Sequence, residues 1–149
     1  MPAENTKNSF PCFVADTSFM AAYLLNGFCD DEFSDCIKDI EYLLKNNGQI
    51  YVPPLFWYEI QNVLLYKTRS KKEGQLRLST DDAMDIMYDL DRLPIYTDIL
   101  PDSEVRQRIF TLAQEHNLSY YDASYLELAR RCNLELKTYD EDLKKSFTK

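Results

Sequence analysis

The sequence predicts a single α/β domain, with a central parallel sheet of about four strands flanked by helices. Three observations predict it. Short apolar runs of β type (CFVAD, QIYVPP, PIYTDI and LELKTYD) alternate with longer segments of helical periodicity. The joins carry Pro, Asn-Gly or an acid, which are residues that stop one element and start another. The 149 residues are 45% hydrophobic and 28% charged, which suits one compact domain and argues against wholesale disorder.

Taken in order, CFVAD is a strand that hands over at Asp16 to the helix TSFMAAYLLNG, closed by Gly27 as a C-cap. DDEFSDCIKDIEYLLKNNG places Phe33, Cys36 or Ile37, Ile40, and Leu43 or Leu44 at helical spacing and ends on Asn-Gly. QIYVPP is a strand stopped by two prolines. LFWYEIQNVLLYKTR is a helix with an apolar stripe of Phe56, Ile60, Val63 and Leu64. DDAMDIMYDLDRL is a helix and PIYTDI a strand. PDSEVRQRIFTLAQEHN opens with helix-starting residues and continues as a helix. YYDASYLELARRCN is a further helix, LELKTYD the last strand, and EDLKKSF a final turn or two. Residues 1–10 read as a polar tail and 11–149 as the domain.

Composition excludes several functions. No apolar run approaches ~18 residues, the length of a membrane span, and MPAENTKNSF lacks the apolar centre of a secretory signal. The four cysteines are scattered without a C-x-x-C pair, as expected of reduced, buried thiols in the cytoplasm. With His116 the only histidine, His-based zinc sites and His-paired nucleophiles lack raw material, and His116 reads as a surface or helix-capping residue. No Gly-rich phosphate loop and no D-x-D opening is present.

The net charge of −8 argues at first against a nucleic-acid partner. The charge is polarised, however. Residues 67–77 carry five basic residues against one acid, so Lys67, Arg69, Lys71 and Lys72 are candidate phosphate contacts, or else a solvated helix end. Of the many aromatic residues most belong in the core; Tyr23, Phe56 and Tyr120 neighbour the acids and are candidates for a substrate groove.

Four acids fall where a strand hands over to a helix: Asp16, Glu59, Asp122 and Asp140. Each has an ordinary alternative. Asp16, Asp122 and Asp140 suit helix caps, and Glu59 suits a solvated helix face. In a parallel sheet, however, the strand C-termini share one edge, so the four would converge there. Converged carboxylates repel one another unless a cation sits among them, and Mg²⁺ or Mn²⁺ prefers hard oxygen donors. The chemistry of such a site is the activation of water and the stabilisation of charge on a phosphodiester, with one or two ions.

The segments VADTSFMAAYL, PPLFWYEIQNVL, LSYYDASYLELA and LKTYDEDL resemble the four acidic motifs of PIN domains, most nearly the small VapC-type ribonuclease toxins of toxin–antitoxin pairs. The resemblance runs from about residue 11 to 145. It implies that Asp16, Glu59, Asp122 and Asp140 are catalytic and hold the metal. Thr17 and Ser18 would orient Asp16 and line the site, and Thr138 would support that carboxylate. It implies a Mg²⁺- or Mn²⁺-dependent endoribonuclease whose activated water attacks the phosphate in line, leaving 5′-phosphate and 3′-hydroxyl ends. It further implies a homodimer, and an antitoxin whose C-terminal segment fills the acidic groove with an arginine. PIN toxins continue past the last acid into a fifth short strand, whereas here the chain ends at KKSFTK, leaving that strand missing or merged into the tail. The other readings are an inactive PIN module that binds RNA or protein, which the intact acid set disfavours, and a metal-dependent phosphatase on a similar sheet.

Overall fold

The computed structural model describes residues 10–28, 34–69 and 77–148. Four strands, β1 (Cys12–Ala15), β2 (Gln49–Val52), β3 (Ile95–Thr97) and β4 (Glu135–Lys137), pair in parallel in the order β3-β2-β1-β4. Phe13 pairs with Ile50 on one side and Glu135 on the other, which fixes the register of the central strand. Phe13, Val14 and Ala15 are buried, as expected of a strand covered on both faces, whereas Tyr96 and Thr97 on the edge strand β3 are exposed.

Seven helices connect and cover the strands. α1 (Thr17–Leu24) and α2 (Ser34–Lys45) link β1 to β2, and α3 (Phe56–Arg69) and α4 (Thr80–Asp91) link β2 to β3. α5 (Ser103–His116) and α6 (Tyr120–Cys132) carry the chain back across the sheet to β4, and α7 (Glu141–Thr148) follows. The helices α1 to α4 touch one another, and so do α5 to α7, forming two layers about the sheet. α6 is the most enclosed, with every residue from Ala123 to Ala129 buried.

Helix ends follow side-chain chemistry. Ser79, Asp102 and Ser119 cap α4, α5 and α6 through side-chain oxygens. Asn117 and Asn133 close α5 and α6 in the left-handed conformation. After α2, Asn47 is left-handed and Gly48 follows, where a Cβ would lie 2.0 Å from the Pro11 carbonyl oxygen, so only glycine fits. α1 closes one turn earlier than its Gly27 suggests. Leu25 is the C-cap, and Gly27 takes φ +89° in the turn beyond.

Residues 1–9, most of the polar tail, lie outside the described residues, as do Phe33, Cys29, Lys71 and Lys72. Cys36 is buried, but Cys12 and Cys132 are half-buried, so the expectation of uniformly buried thiols fails for those two. Among the described residues there is no fifth strand, since Asp140 leads straight into α7. Nor is any described helix long and apolar enough to cross a membrane.

Candidate active site

The strand order decides where the acids meet. The chain moves outward from β1 to β2 to β3, then crosses back to place β4 on the other side of β1. The direction of winding therefore reverses between β1 and β4, and in open α/β sheets the crevice beyond that reversal is where ligands bind. Asp16 follows β1 and Asp140 stands three residues beyond β4, so both lie at that crevice. The Asp16 N–H donates to the Lys137 carbonyl at 3.1 Å, prolonging the β1–β4 pairing to the residue that bears the carboxylate.

Asp16 is 4% exposed and both its oxygens are engaged. Oδ1 accepts from the Ser18 hydroxyl at 2.7 Å and from the Phe19 N–H at 3.0 Å, and the latter bond is also the N-cap of α1. Oδ2 accepts from the Thr138 hydroxyl at 2.5 Å. Thr138 Oγ1 in turn accepts from the Asp140 N–H at 2.9 Å, and Ser18 Oγ accepts from the Tyr139 N–H at 3.0 Å. Ser18 and Thr138 thus stitch the start of α1 to the segment after β4 and hold Asp16 between them, as expected for both.

Thr17 departs from expectation. Its hydroxyl makes no bond to Asp16. It reaches Glu59 Oε1 at 3.2 Å and the Tyr125 hydroxyl at 3.0 Å, while Tyr125 donates to the same Glu59 oxygen at 2.7 Å. Thr17 therefore orients Glu59 rather than Asp16, because the first helical position of α1 turns its side chain toward α3 and α6 while Ser18 turns toward β4.

Asp122 is not the cap of α6. Ser119 holds that place, accepting from the Asp122 N–H at 3.0 Å, so Asp122 stands in the first turn with a half-buried carboxylate. Asp140 does act as a cap, since its Oδ1 accepts from the Leu143 N–H at 2.9 Å, and it remains exposed.

The electrostatics tie the four acids together. Burial raises the pKa of Asp16 above the ordinary carboxylate value against three hydrogen bonds that lower it, and the charge of Asp140 adds to the rise. Burial likewise raises Glu59, the Tyr125 and Thr17 hydroxyls oppose the rise, and the charges of Asp122 and Asp16 add to it. Asp122 is raised by burial and by Asp140, with smaller contributions from Asp16 and Asp142 and an opposing one from the Ser119 hydroxyl. Asp142, in the first turn of α7, is thus a fifth acid within reach of Asp122. Tyr125 was missed in the sequence, although it lies three residues after Asp122 and so on the same face of α6.

None of the four acids takes part in any ion pair among the described residues. Glu127 marks the contrast. It is 3% exposed, as buried as Asp16, but it is held by Arg131 Nε at 2.8 Å and Arg108 at 3.5 Å, with Arg131 also bound to Asp98. A buried carboxylate elsewhere in the fold has guanidinium partners, and the clustered ones have none. The donor set of hard oxygens fits a divalent cation. As the side chains stand, no three acidic, histidine or cysteine groups among the described residues are close enough to chelate one ion. That arrangement still suits Mg²⁺, which keeps several waters and takes one or two carboxylates.

The other candidates divide. Lys67 and Arg69 lie in the last turn of α3, whereas Glu59 lies in its first, so they stand about 12–15 Å along the helix from it. Phe56 is fully buried and is core, because it begins the apolar stripe of α3. Tyr23 faces Glu41 and Asp89 in a hollow between α1, α2 and α4, away from the acids. Tyr120 is 38% exposed and, with Leu55, Ile99, Leu100 and Tyr121, lines an apolar hollow of about 200 Å³ beside the start of α6, and none of the four acids lines that hollow. His116 lies 3.4 Å from an Arg130 nitrogen at the end of α5, consistent with a surface role.

The sequence profile of the PIN domain matches residues 13–146. The chain belongs to the PIN domain family. Solved PIN-like structures share its fold. PAE2754 from Pyrobaculum aerophilum superposes with a TM-score of 0.60 at 20% identity, covering 93% of this chain and 87% of that one. Mycobacterium tuberculosis VapC20, described as a sarcin-ricin loop cleaving toxin, superposes with a TM-score of 0.61 at 14% identity, covering 90% of this chain and 94% of that one. Among curated protein sequences none matches this PIN domain.

Proposed function

We propose that this PIN domain is a Mg²⁺- or Mn²⁺-dependent endoribonuclease, the toxin of a toxin–antitoxin pair. The observation that carries the reading is the set of Asp16, Glu59, Asp122 and Asp140 at the sheet's switch point. Asp16, Glu59 and Asp122 are partly desolvated, the charge of Asp140 repels Asp16 and Asp122, and all four lack the arginine partners given to Glu127. A fold selected for stability alone has no reason to gather them, because unpaired buried charge costs free energy. A divalent ion held by these residues would supply positive charge at a phosphate and a bound water more acidic than bulk water.

The chain's own residues set the stage for that chemistry. Ser18, Thr138 and the Phe19 N–H lock Asp16, and Thr17 and Tyr125 lock Glu59, so two ligands are pre-oriented. Asp122 and Asp140 sit closer to solvent, on the side from which a substrate phosphate arrives. Tyr120, at the start of α6, offers an exposed ring on which a base can stack. Lys67 and Arg69, about 12–15 Å along α3 from Glu59, would supply phosphate contacts, as would Lys71 and Lys72, which lie outside the described residues.

RNA as the substrate is supported by the fold shared with VapC20, and an antitoxin by the same likeness. A cluster of unpaired acids is also a natural seat for an antitoxin arginine, whose guanidinium binds carboxylates through two parallel bonds. The experiment that tests the reading is RNA cleavage by the purified protein with Mg²⁺ or Mn²⁺, in excess EDTA, and with Asp16→Asn. Cleavage only with the ion and only by wild type is expected; undiminished cleavage in EDTA would overturn the metal reading. RNA binding without cleavage under any ion would leave the inactive, binding PIN module in its place.

A further inference from the structure

Glu59 presents its two carboxylate oxygens unequally. Oε1 accepts from the Tyr125 hydroxyl at 2.7 Å and lies 3.2 Å from the Thr17 hydroxyl, and those two hydroxyls are 3.0 Å apart. The three groups form a closed triangle drawn from α1, α3 and α6. A phenol and an alcohol have one proton each. The Tyr125 proton goes to Oε1, and the Thr17 proton is shared between Oε1 and the phenol oxygen. In either arrangement Oε1 is held and the plane of the carboxylate is fixed. Oε2 accepts no hydrogen bond among the described residues, so one oxygen is left without a protein donor there. Tyr125 is 1% exposed and cannot swing away, since its ring is packed within α6's buried face.

This asymmetry bears on which cation the edge accepts. Ca²⁺ takes six to eight oxygens and favours carboxylates that bind through both oxygens, whereas Mg²⁺ is octahedral and is content with single oxygens and water. A carboxylate with one oxygen engaged by protein donors is a poor two-oxygen ligand. The geometry points to Tyr125, with Thr17, as a positioning residue that holds Glu59 as a one-oxygen ligand and so selects small octahedral cations over Ca²⁺. This rests on the metal-binding reading of the acidic edge given above.

The test uses Mn²⁺, whose free ion is counted directly by electron paramagnetic resonance, with Ca²⁺ as competitor and no RNA present. Wild type is expected to bind Mn²⁺ and to resist displacement by Ca²⁺. In Tyr125→Phe the ring is kept and only the hydroxyl is lost. Its affinity for Mn²⁺ is expected to fall about 10- to 100-fold, and the concentration of Ca²⁺ needed for displacement, relative to the Mn²⁺ dissociation constant, to fall as well. Thr17→Val, which removes the second hydroxyl with little change of shape, should move both readouts the same way by less, and it serves if Tyr125→Phe fails to fold. A lower melting temperature in EDTA with unchanged Mn²⁺ affinity and unchanged Ca²⁺ displacement would make the triangle merely structural and overturn the proposal. If wild type binds no Mn²⁺ at all, the reading of the acidic edge fails and takes this proposal with it. The two failures are therefore distinguishable.

Discussion

Replacing Asp16 by Asn separates the cost of a buried charge from the value of its hydrogen bonds. Oδ1 of the amide can keep both of its donors, the Ser18 hydroxyl and the Phe19 N–H. The amide nitrogen then faces Thr138 Oγ1 and donates to it, so the Thr138 hydroxyl must turn its own proton away. That hydroxyl has somewhere to send it, since Ser18 Oγ lies 3.4 Å off. Three charge-assisted bonds become neutral ones, a loss of about 1 kcal/mol each. Against this stands the desolvation of a carboxylate that is 4% exposed, together with repulsion from Asp140. Because the pKa of Asp16 is raised, the charged form is less favoured in the fold than in the unfolded chain even with those bonds in place. The neutral isostere should therefore be as stable as wild type or more so, with a melting temperature in EDTA that rises or stays within about 3 °C, the shift produced by roughly 1 kcal/mol in a chain of this size. Asp16→Ala should behave oppositely. It loses the cap and strands the Thr138 hydroxyl, costing about 2–4 kcal/mol. Both variants should lose the rise in melting temperature that Mn²⁺ gives wild type, which amounts to about 2.7 kcal/mol at a hundredfold excess over the dissociation constant. Differential scanning fluorimetry with and without Mn²⁺, with single-turnover cleavage on the same samples, measures all of this. An Asp16→Asn protein that melts far below wild type in EDTA would refute the charge accounting. A folded one that cleaves at the wild-type rate would refute the site.

Three further outcomes are expected. Asp16 holds more protons in the folded chain than in the unfolded one between the ordinary carboxylate pKa, about 4, and its raised value, so metal-free wild type should lose stability relative to Asp16→Asn as pH rises through that window. The gap in melting temperature should open from pH 4 to 7; a gap that closes instead would mean the pKa is depressed. Alanine at Lys67 and Arg69, and separately at Lys71 and Lys72, should lower the log–log salt slope of RNA binding by up to roughly one per lost contact while leaving saturated turnover nearly intact. Ile99, Leu100, Phe110 and Tyr121 are exposed apolar groups, so light scattering at micromolar concentration should report a dimer of about 35 kDa, twice the 17.6 kDa chain; a strict monomer would remove dimerisation.

The sheet was legible because it depends on local signals. Each strand is a short β-type run ended by Pro or an acid, and Asp16 and Asp140 follow such endings. Glu59 stands instead in the first turn of α3, and Asp122 follows helix α5 and not the strand-to-helix join its sequence suggests. The helix stripes carried as well: Cys36, Ile40 and Leu43 of α2 and Phe56, Ile60 and Leu64 of α3 are all buried. Other features depended on which way a side chain turns, which spacing alone does not fix. Thr17 and Ser18 are adjacent on α1, yet about 100° of helical rotation sends one to Glu59 and the other to Asp16. Phe56 neighbours Glu59 in sequence but lies on the apolar stripe of α3, and Tyr23 neighbours Asp16 but faces α2 and α4. The capping role of Ser119 was hidden because Asp122 is an equally good helix-starting residue. The Tyr125 triangle was hidden because a tyrosine in a mostly apolar helix reads as core, which it also is.

The wide separation of Asp16 and Asp140 along the chain has a consequence for the protein's birth on the ribosome. Asp16 is made early, and its hydrogen-bond partner Thr138 follows 122 residues later. At about 5–20 residues per second, roughly 6–25 s pass between the two. Throughout that interval the central strand β1 lacks its β4 neighbour and Asp16 lacks the Thr138 hydroxyl. The acidic edge is therefore incomplete on the growing polypeptide until residues 138–140 have been made.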